Sequence, residues 1–219
     1  MIVAIDGPAG AGKSTIAKKV AATLGFLYID TGAMYRALAL KVLDLNIDPL
    51  DEQKIIALAR ASDISLTPEP DGGLAVFLDG NNVSRQIREP RVTRIVSDVA
   101  KIREVRQVMV ELQRKLGARA DCVLDGRDIG TVVFPQAEKK FYLDAGFDER
   151  VRRRFLELRA MGQAVTSEEV AADLANRDNI DSTRKVAPLK RAEDALHLDT
   201  TRMSIDEVTA AVLHNIREK

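Results

Sequence analysis

Short apolar runs and amphipathic stretches alternate along most of the chain. Residues 2–5 form an apolar run that ends in a glycine-rich turn, and 14–24 carry the spacing of an amphipathic helix. Residues 27–29 read as a second strand, followed by helices over about 33–45 and 51–62. A single helical stretch is predicted from 90 to about 117. Apolar strands follow at 122–124, 141–143 and 195–198, with a broken helical stretch from 147 to about 195 between the last two. The final helix starts at the capping box Ser204-Ile205-Asp206-Glu207 and runs to the C-terminus. Five short apolar strands with helices between them predict an α/β fold whose parallel sheet is covered on both faces.

Residues 64–85 break this rhythm. They alternate with period two, and turn signals punctuate them at Pro68-Glu69-Pro70-Asp71-Gly72-Gly73 and Asp79-Gly80-Asn81. A small antiparallel hairpin or three-stranded insert is expected there, set into one compact α/β domain.

Charge and composition narrow the possible partners. The 219 residues hold 33 Lys plus Arg against 33 Asp plus Glu, a formal net charge of zero. A protein that grips nucleic acid or an anionic membrane over a wide surface carries a basic excess, so any anion site here is a local concentration of arginine. Aromatics are 4% of the chain and Trp is absent, which argues against base-stacking platforms. The lone Cys122 excludes internal disulfides and Cys-rich zinc sites, and in the run Cys122-Val123-Leu124 it reads as a packed strand residue. The apolar run at the N-terminus is too short for a signal peptide, and no stretch approaches the roughly 18 apolar residues of a membrane span. A cytoplasmic protein with no membrane and no nucleic-acid partner is expected.

The chemistry begins at Gly7-Pro8-Ala9-Gly10-Ala11-Gly12-Lys13-Ser14, which matches G-x-x-x-x-G-K-[ST] between an apolar strand and a helix. Glycines let the backbone wrap closely around phosphates, and N–H groups at the helix start point at the anion. Lys13 supplies a mobile positive charge to the phosphates, and the Ser14 hydroxyl suits Mg²⁺. No Asn-Lys-x-Asp base-reading motif of the GTPase kind occurs, and the short chain favours a small kinase. Asp125 ends an apolar strand in Val123-Leu124-Asp125-Gly126-Arg127-Asp128, where a carboxylate beside a phosphate loop can reach the metal or its waters.

With these go Asp30-Thr31-Gly32-Ala33-Met34-Tyr35-Arg36, Asp125-Gly126-Arg127-Asp128-Ile129-Gly130-Thr131-Val132-Val133-Phe134-Pro135 and Val186-Ala187-Pro188-Leu189. In this combination the chain closely resembles the bacterial cytidylate kinases, a family of P-loop nucleoside monophosphate kinases, over essentially its whole length. The resemblance implies a P-loop NTPase-type five-stranded parallel sheet, an inserted monophosphate-binding subdomain with a small antiparallel sheet, and a helical lid. The core would comprise about 1–35, 118–150 and 190–219, the insert about 36–117 with its small β part at 63–86, and the lid about 151–187.

The resemblance also implies site residues. The P-loop, Gly7 to Ser14 with Thr15, would hold ATP, and Ser14 would ligate Mg²⁺, with Asp125 acting directly or through water. Thr31, Tyr35, Arg36, Ser97, Arg106, Arg127, Asp128, Arg177, Asp181 and Arg184 would bind CMP or dCMP. Among them Arg36 and Arg127 would hold the acceptor phosphate, Ser97, Arg106 and Asp128 would read cytosine, and Asp181 would bind the sugar hydroxyls. Lys13, Arg127, Arg177 and Arg184 would act in catalysis by neutralising charge. A monomer is expected. A carboxylate plus an arginine can read one edge of cytosine, whereas uracil would turn a carbonyl toward Asp128. The residues taken alone also admit a kinase with another acceptor, a nucleotide switch without transfer, or a nucleic-acid-binding regulator.

Residues 147–161 place Phe147, Val151, Phe155 and Leu158 on one face, a packing stripe. Arg150, Arg152, Arg153 and Arg159 lie off that stripe, facing either the lid and donor phosphates or solvent. The tip of the lid would be 160–165. His197, in an apolar strand, reads as a core histidine, and His214 as a surface one.

Overall fold

The computed structural model describes residues 1–69 and 73–218. Five parallel strands form the central sheet: β1 (Ile2–Asp6), β2 (Leu27–Asp30), β6 (Cys122–Gly126), β7 (Lys139–Asp144) and β8 (Leu196–Asp199), in the order β2-β6-β1-β7-β8. All four pairings are parallel, and β1 sits in the middle, with Asp6 opposite Gly126 on one side and Tyr142 on the other. Each of the five strands carries an aspartate at or next to its carboxyl end: Asp6, Asp30, Asp125, Asp144 and Asp199.

Alternation along β1 sends Val3 and Ile5 to one face and Ala4 to the other. The first face packs on α1 (Lys13–Leu24) and α8 (Ile205–Arg217) through Ile16, Val20, Val208 and Val212. The second is covered by α2 (Thr31–Asp44), α3 (Glu52–Ala61), α4 (Pro90–Lys101) and α5 (Arg103–Gly117). The same core continues without a break into the small antiparallel sheet of β3 (Ile64–Pro68), β4 (Leu74–Leu78) and β5 (Asn81–Asn82). The insert expected over 64–85 is therefore three-stranded; Pro70, Asp71 and Gly72 of its first turn signal lie outside the described residues. A third, smaller core joins α6 (Phe147–Ala160) to α7 (Ser167–Thr183) around Val151, Val170 and Leu174, with Phe155 and Leu158 against it, and Ala9 of the glycine-rich loop belongs to it.

Four expectations need correction. Phe147, expected on the packing stripe of residues 147–161, is exposed, with the Arg150 guanidinium over its ring. The helical stretch 90–117 is two helices, because Ile102 is extended (φ −68°, ψ 122°) and turns its side chain into the core. No glycine or proline marks that break. The Ala100 carbonyl, deprived of its helical partner, accepts from the Arg106 guanidinium at 3.2 Å, so a side chain six residues on satisfies the carbonyl that the break leaves open. Helix in the 147–195 stretch ends at Thr183, and 184–195 carries none. His197 is exposed on β8, an edge strand with only its β7 side paired, and stacks tilted on Tyr142 with ring centroids 5.9 Å apart. His214 is on the surface and Cys122 is fully buried, as expected; burial pushes the Cys122 thiol up to about 11, leaving it inert. Among the described residues no helix is long and apolar enough to cross a membrane.

Candidate active site

A cleft of about 660 Å³ opens along the carboxyl ends of the strands, bounded by α1, α2, α4, α6 and α7. That edge is where open α/β sheets bind ligands, because loops and helix N-termini converge there. Apart from Gly7 and Pro8, which begin the glycine-rich loop, every site residue singled out in the sequence lines this cleft.

The loop between β1 and α1 is shaped by what its glycines permit. Gly7 has φ +150°, and a Cβ there would meet the Leu143 carbonyl oxygen at 1.9 Å. At Gly10 (φ +77°) a Cβ would press on the Arg150 backbone at 3.0 Å. Helices α6 and α7 grip the loop from outside: the Ala9 N–H donates to Asp178 at 3.3 Å, and the Ala9 carbonyl accepts from Arg150 at 3.0 Å. Arg150 and Asp178 also pair with each other. Arg150, read in the sequence as a lid or solvent arginine, is thus buried and structural.

Lys13 is buried and folds back to donate to the Pro8 carbonyl at 2.6 Å. Burial, with Arg127 nearby, pushes its ammonium down to about 7. The Ser14 hydroxyl donates to Asp125 at 2.7 Å and the Tyr28 hydroxyl to its other oxygen at 2.8 Å. Burial, with Asp30 adding like charge, raises the Asp125 carboxyl above the usual range. Two neighbouring buried carboxylates and a hydroxyl are hard oxygen donors suited to a divalent cation. Among the described residues no cluster of three metal-ligating side chains occurs, so such an ion would take its other ligands from phosphates and water, as Mg²⁺ does.

Asp30 caps α2, accepting from the Ala33 N–H at 2.8 Å, and pairs with Arg36 at 2.9 Å. Burial alone would raise its carboxyl, but Arg36, the Ala33 N–H and Arg88 together hold it below the usual range. Arg36 is thereby fixed at the cleft wall with Arg88 beside it.

Across the floor, buried charges alternate in sign. Arg106, from α5, pairs with Asp128. Arg184 lies 3.6 Å from Asp128 and 3.7 Å from Asp181. Asp181 in turn pairs with Arg127 at 2.9 Å. The Tyr35 ring lies under Arg106 at 5.4 Å, and burial raises its phenol to about 12. Buried Ser97 on α4 lines the same end. At the other end Arg177 is partly buried near Arg127, and desolvation with that like charge pushes it down to about 10; its buried Nε has no hydrogen-bond partner. Two guanidiniums held close together suit an anion with several oxygens.

The α6 arginines divide by position. Arg152, Arg153 and Arg154 line the cleft, with Glu149 bridging the first two and Arg153 also bound to Thr200. Arg159 is exposed and outside it. Sequence reasoning missed Asp30, Arg88, Arg154 and the Arg150–Asp178 clamp. Asp30 could have been found by the pattern it shares with Asp125, an aspartate ending an apolar run; the clamp has no local signal, since its halves are far apart in the chain.

A family model described as "Cytidylate kinase" matches residues 3–218. The chain is 52% identical over 216 residues to a cytidylate kinase of Caldanaerobacter subterraneus subsp. tengcongensis, covering 99% of this chain and 94% of that one. It is 50% identical to one from Clostridioides difficile, covering 99% and 98%. A solved structure of an uncharacterized protein from Eubacterium ventriosum shares the fold, with a TM-score of 0.53 at 12% identity, covering 100% of this chain and 99% of that one.

Proposed function

The chain belongs to the cytidylate kinase family, and from that membership we propose how its cleft divides the work of phosphorylating CMP and dCMP at the expense of ATP. The acceptor's base lies at the Arg106–Asp128 end, its phosphate between Arg36 and Arg127, and the donor's phosphates on residues 7–15. The observation that carries this assignment is the buried alternation Arg106, Asp128, Arg184, Asp181, Arg127, which runs from the α5 wall to the cleft floor. Such a row places a carboxylate and an arginine together where a base with one amine donor and adjacent acceptors can pair with both. Asp181, one step along, is set to accept from sugar hydroxyls.

In the transfer, an oxygen of the acceptor phosphate attacks the γ-phosphorus. The bond to the β–γ bridging oxygen breaks, and its electron pair leaves with ADP. The attacking oxygen is already anionic, so no general base is needed. Rate enhancement comes from alignment and from positive charge placed where the transferring group carries its own. Lys13, Arg127, Arg177 and Arg184 supply that charge. Ser14, with Asp125 directly or through water, would hold Mg²⁺, and the ion would supply charge neutralisation at the donor phosphates. Lid helices α6 and α7 exclude water as they close over the phosphates, which limits ATP hydrolysis.

The reading divides the chain into a core (about 1–35, 118–150, 190–219), an acceptor-binding insert (about 36–117) and a lid (about 151–187). All the groups named come from one chain, which supports a monomer. The substrates place the work in cytoplasmic pyrimidine metabolism, with no nucleic-acid partner. The test is a coupled assay offering ATP with CMP, dCMP, UMP, AMP or GMP in turn. High turnover is expected with CMP and dCMP, and much lower turnover with UMP; strong turnover with UMP or AMP and none with CMP would overturn the assignment.

A further inference from the structure

Asp6, the last residue of β1, has no part in the roles above. Its side chain is buried and accepts two backbone hydrogen bonds, one from the Ile129 N–H and one from the Gly130 N–H, each 2.8 Å and each to a different carboxylate oxygen. Among the described residues no lysine, arginine or histidine pairs with it. A buried carboxylate without a cation is costly, so a carboxylate here needs a reason that a smaller neutral side chain would not satisfy. The reason lies in the segment just after Arg127 and Asp128. Residues Ile129–Val133 wind into a single wide helical turn whose far end is closed by the Val132 and Val133 N–H groups on the Asp128 carbonyl. Its near end has no helical partner for the Ile129 and Gly130 N–H groups, and Asp6 accepts from both. Gly130 has no space to shift: a Cβ there would already stand 3.1 Å from Lys140 and 3.5 Å from Asp6.

We propose that Asp6 is a positioning residue: its two-oxygen clip on Ile129 and Gly130 holds the backbone that aims Arg127 at the transferring phosphoryl group and Asp128 at the acceptor's base. Because Gly7 comes directly after it, the clip also ties the acceptor-reading loop to the strand that launches the donor-binding loop. This rests on the site assignment above. The charged and titratable groups facing Asp6 are Asp128 from the loop after β6, Lys13 from α1 and Tyr142 from β7. Burial pushes its carboxyl up to about 7, against the pull of the two N–H groups. Protonated, Asp6 keeps one good acceptor oxygen in place of two, so the clip loosens as pH falls through 7. Its effect on stability has the opposite sign. A carboxyl whose pKa is raised on folding favours the folded state most at low pH, and that contribution is lost as pH rises through 7.

The experiment compares the intact wild-type protein with Asp6→Asn, which keeps the shape but offers one acceptor oxygen. Steady-state constants for CMP and ATP are measured separately from pH 5.5 to 8.5, alongside thermal unfolding. For Asp6→Asn, kcat/KM for CMP is expected to fall roughly 10- to 100-fold, the scale of a small misalignment. KM for ATP should stay within about twofold, and the part of the wild-type acid limb near pH 7 that is absent in the variant should be the Asp6 share. Unchanged CMP constants, a rise in KM for ATP as large as that for CMP, or an acid limb identical in both proteins would overturn the clip. Should Asp6→Asn fail to fold, Asp6→Glu moves the same two oxygens by one methylene, and there a raised KM for CMP with KM for ATP held within about twofold supports the clip while unchanged constants refute it. If the wild-type protein does not phosphorylate CMP at all, the functional assignment fails rather than the clip.

Discussion

Arg127 is held in place by Asp181 at 2.9 Å and by the neighbouring Gly126 carbonyl at 3.3 Å, so its guanidinium is aimed before any substrate arrives. Preorganised charge of this kind acts mainly on the transition state. Arg127→Ala should therefore lower kcat by roughly 10³-fold or more; near-normal turnover in a coupled assay would contradict its role. Gly7 fails for a different reason. With the Leu143 carbonyl oxygen 1.9 Å from where a Cβ would be, Gly7→Ala has to displace β7 or the loop. A loss of about 3 kcal/mol or more in denaturant unfolding is expected. Both positions were legible in the sequence because each sits in a local motif, a glycine opening a phosphate loop and an arginine just after an apolar strand, although the contacts that constrain them, Leu143 and Asp181, are distant in the chain. Asp6 was not, since its partners Ile129 and Gly130 are joined to it only by the β1–β6 pairing.

Among the elements, local signals behaved unevenly. The capping box that starts α8 was visible in Ser204 and Glu207, and both reciprocal bonds form. Thr166 and Glu169 make the same box at the start of α7, where the pattern went unread inside a long polar stretch. Because α7 carries Arg177 and Asp181, its N-terminus has functional weight. Thr166→Ala should cost about 1 kcal/mol of local stability. Hydrogen exchange over 167–174 would then quicken about fivefold, while the strands of the central sheet stay protected. The break at Ile102 is the converse case. Its neighbours are good helix formers, and only tertiary structure, Ile102 in the core and Arg106 on the Ala100 carbonyl, stops the helix there. The same break lets Ser97 on α4 and Arg106 on α5 line one end of the cleft.

On the scale of the whole molecule, the zero net charge conceals strong local order. The parallel sheet, the helices on both its faces and the small antiparallel insert were readable from apolar spacing and turn residues. The five residues of the row from Arg106 to Arg127 were each named through the family resemblance, but their pairing was not readable, because the segments around 106, 128 and 181–184 are brought together only by the fold. Each positive group in that row has a carboxylate beside it, which lets arginines remain buried in a neutral protein. Acceptor choice should reside in this row, at Asp128. The most direct test is kcat/KM for CMP and for UMP in the wild-type protein and in Asp128→Asn, whose amide can donate to the uracil carbonyl. The wild type should prefer CMP strongly, and the variant should lose most of that preference while KM for ATP holds within about twofold. A CMP-to-UMP ratio unchanged by the substitution would contradict the assignment of Asp128 as the group that reads the base.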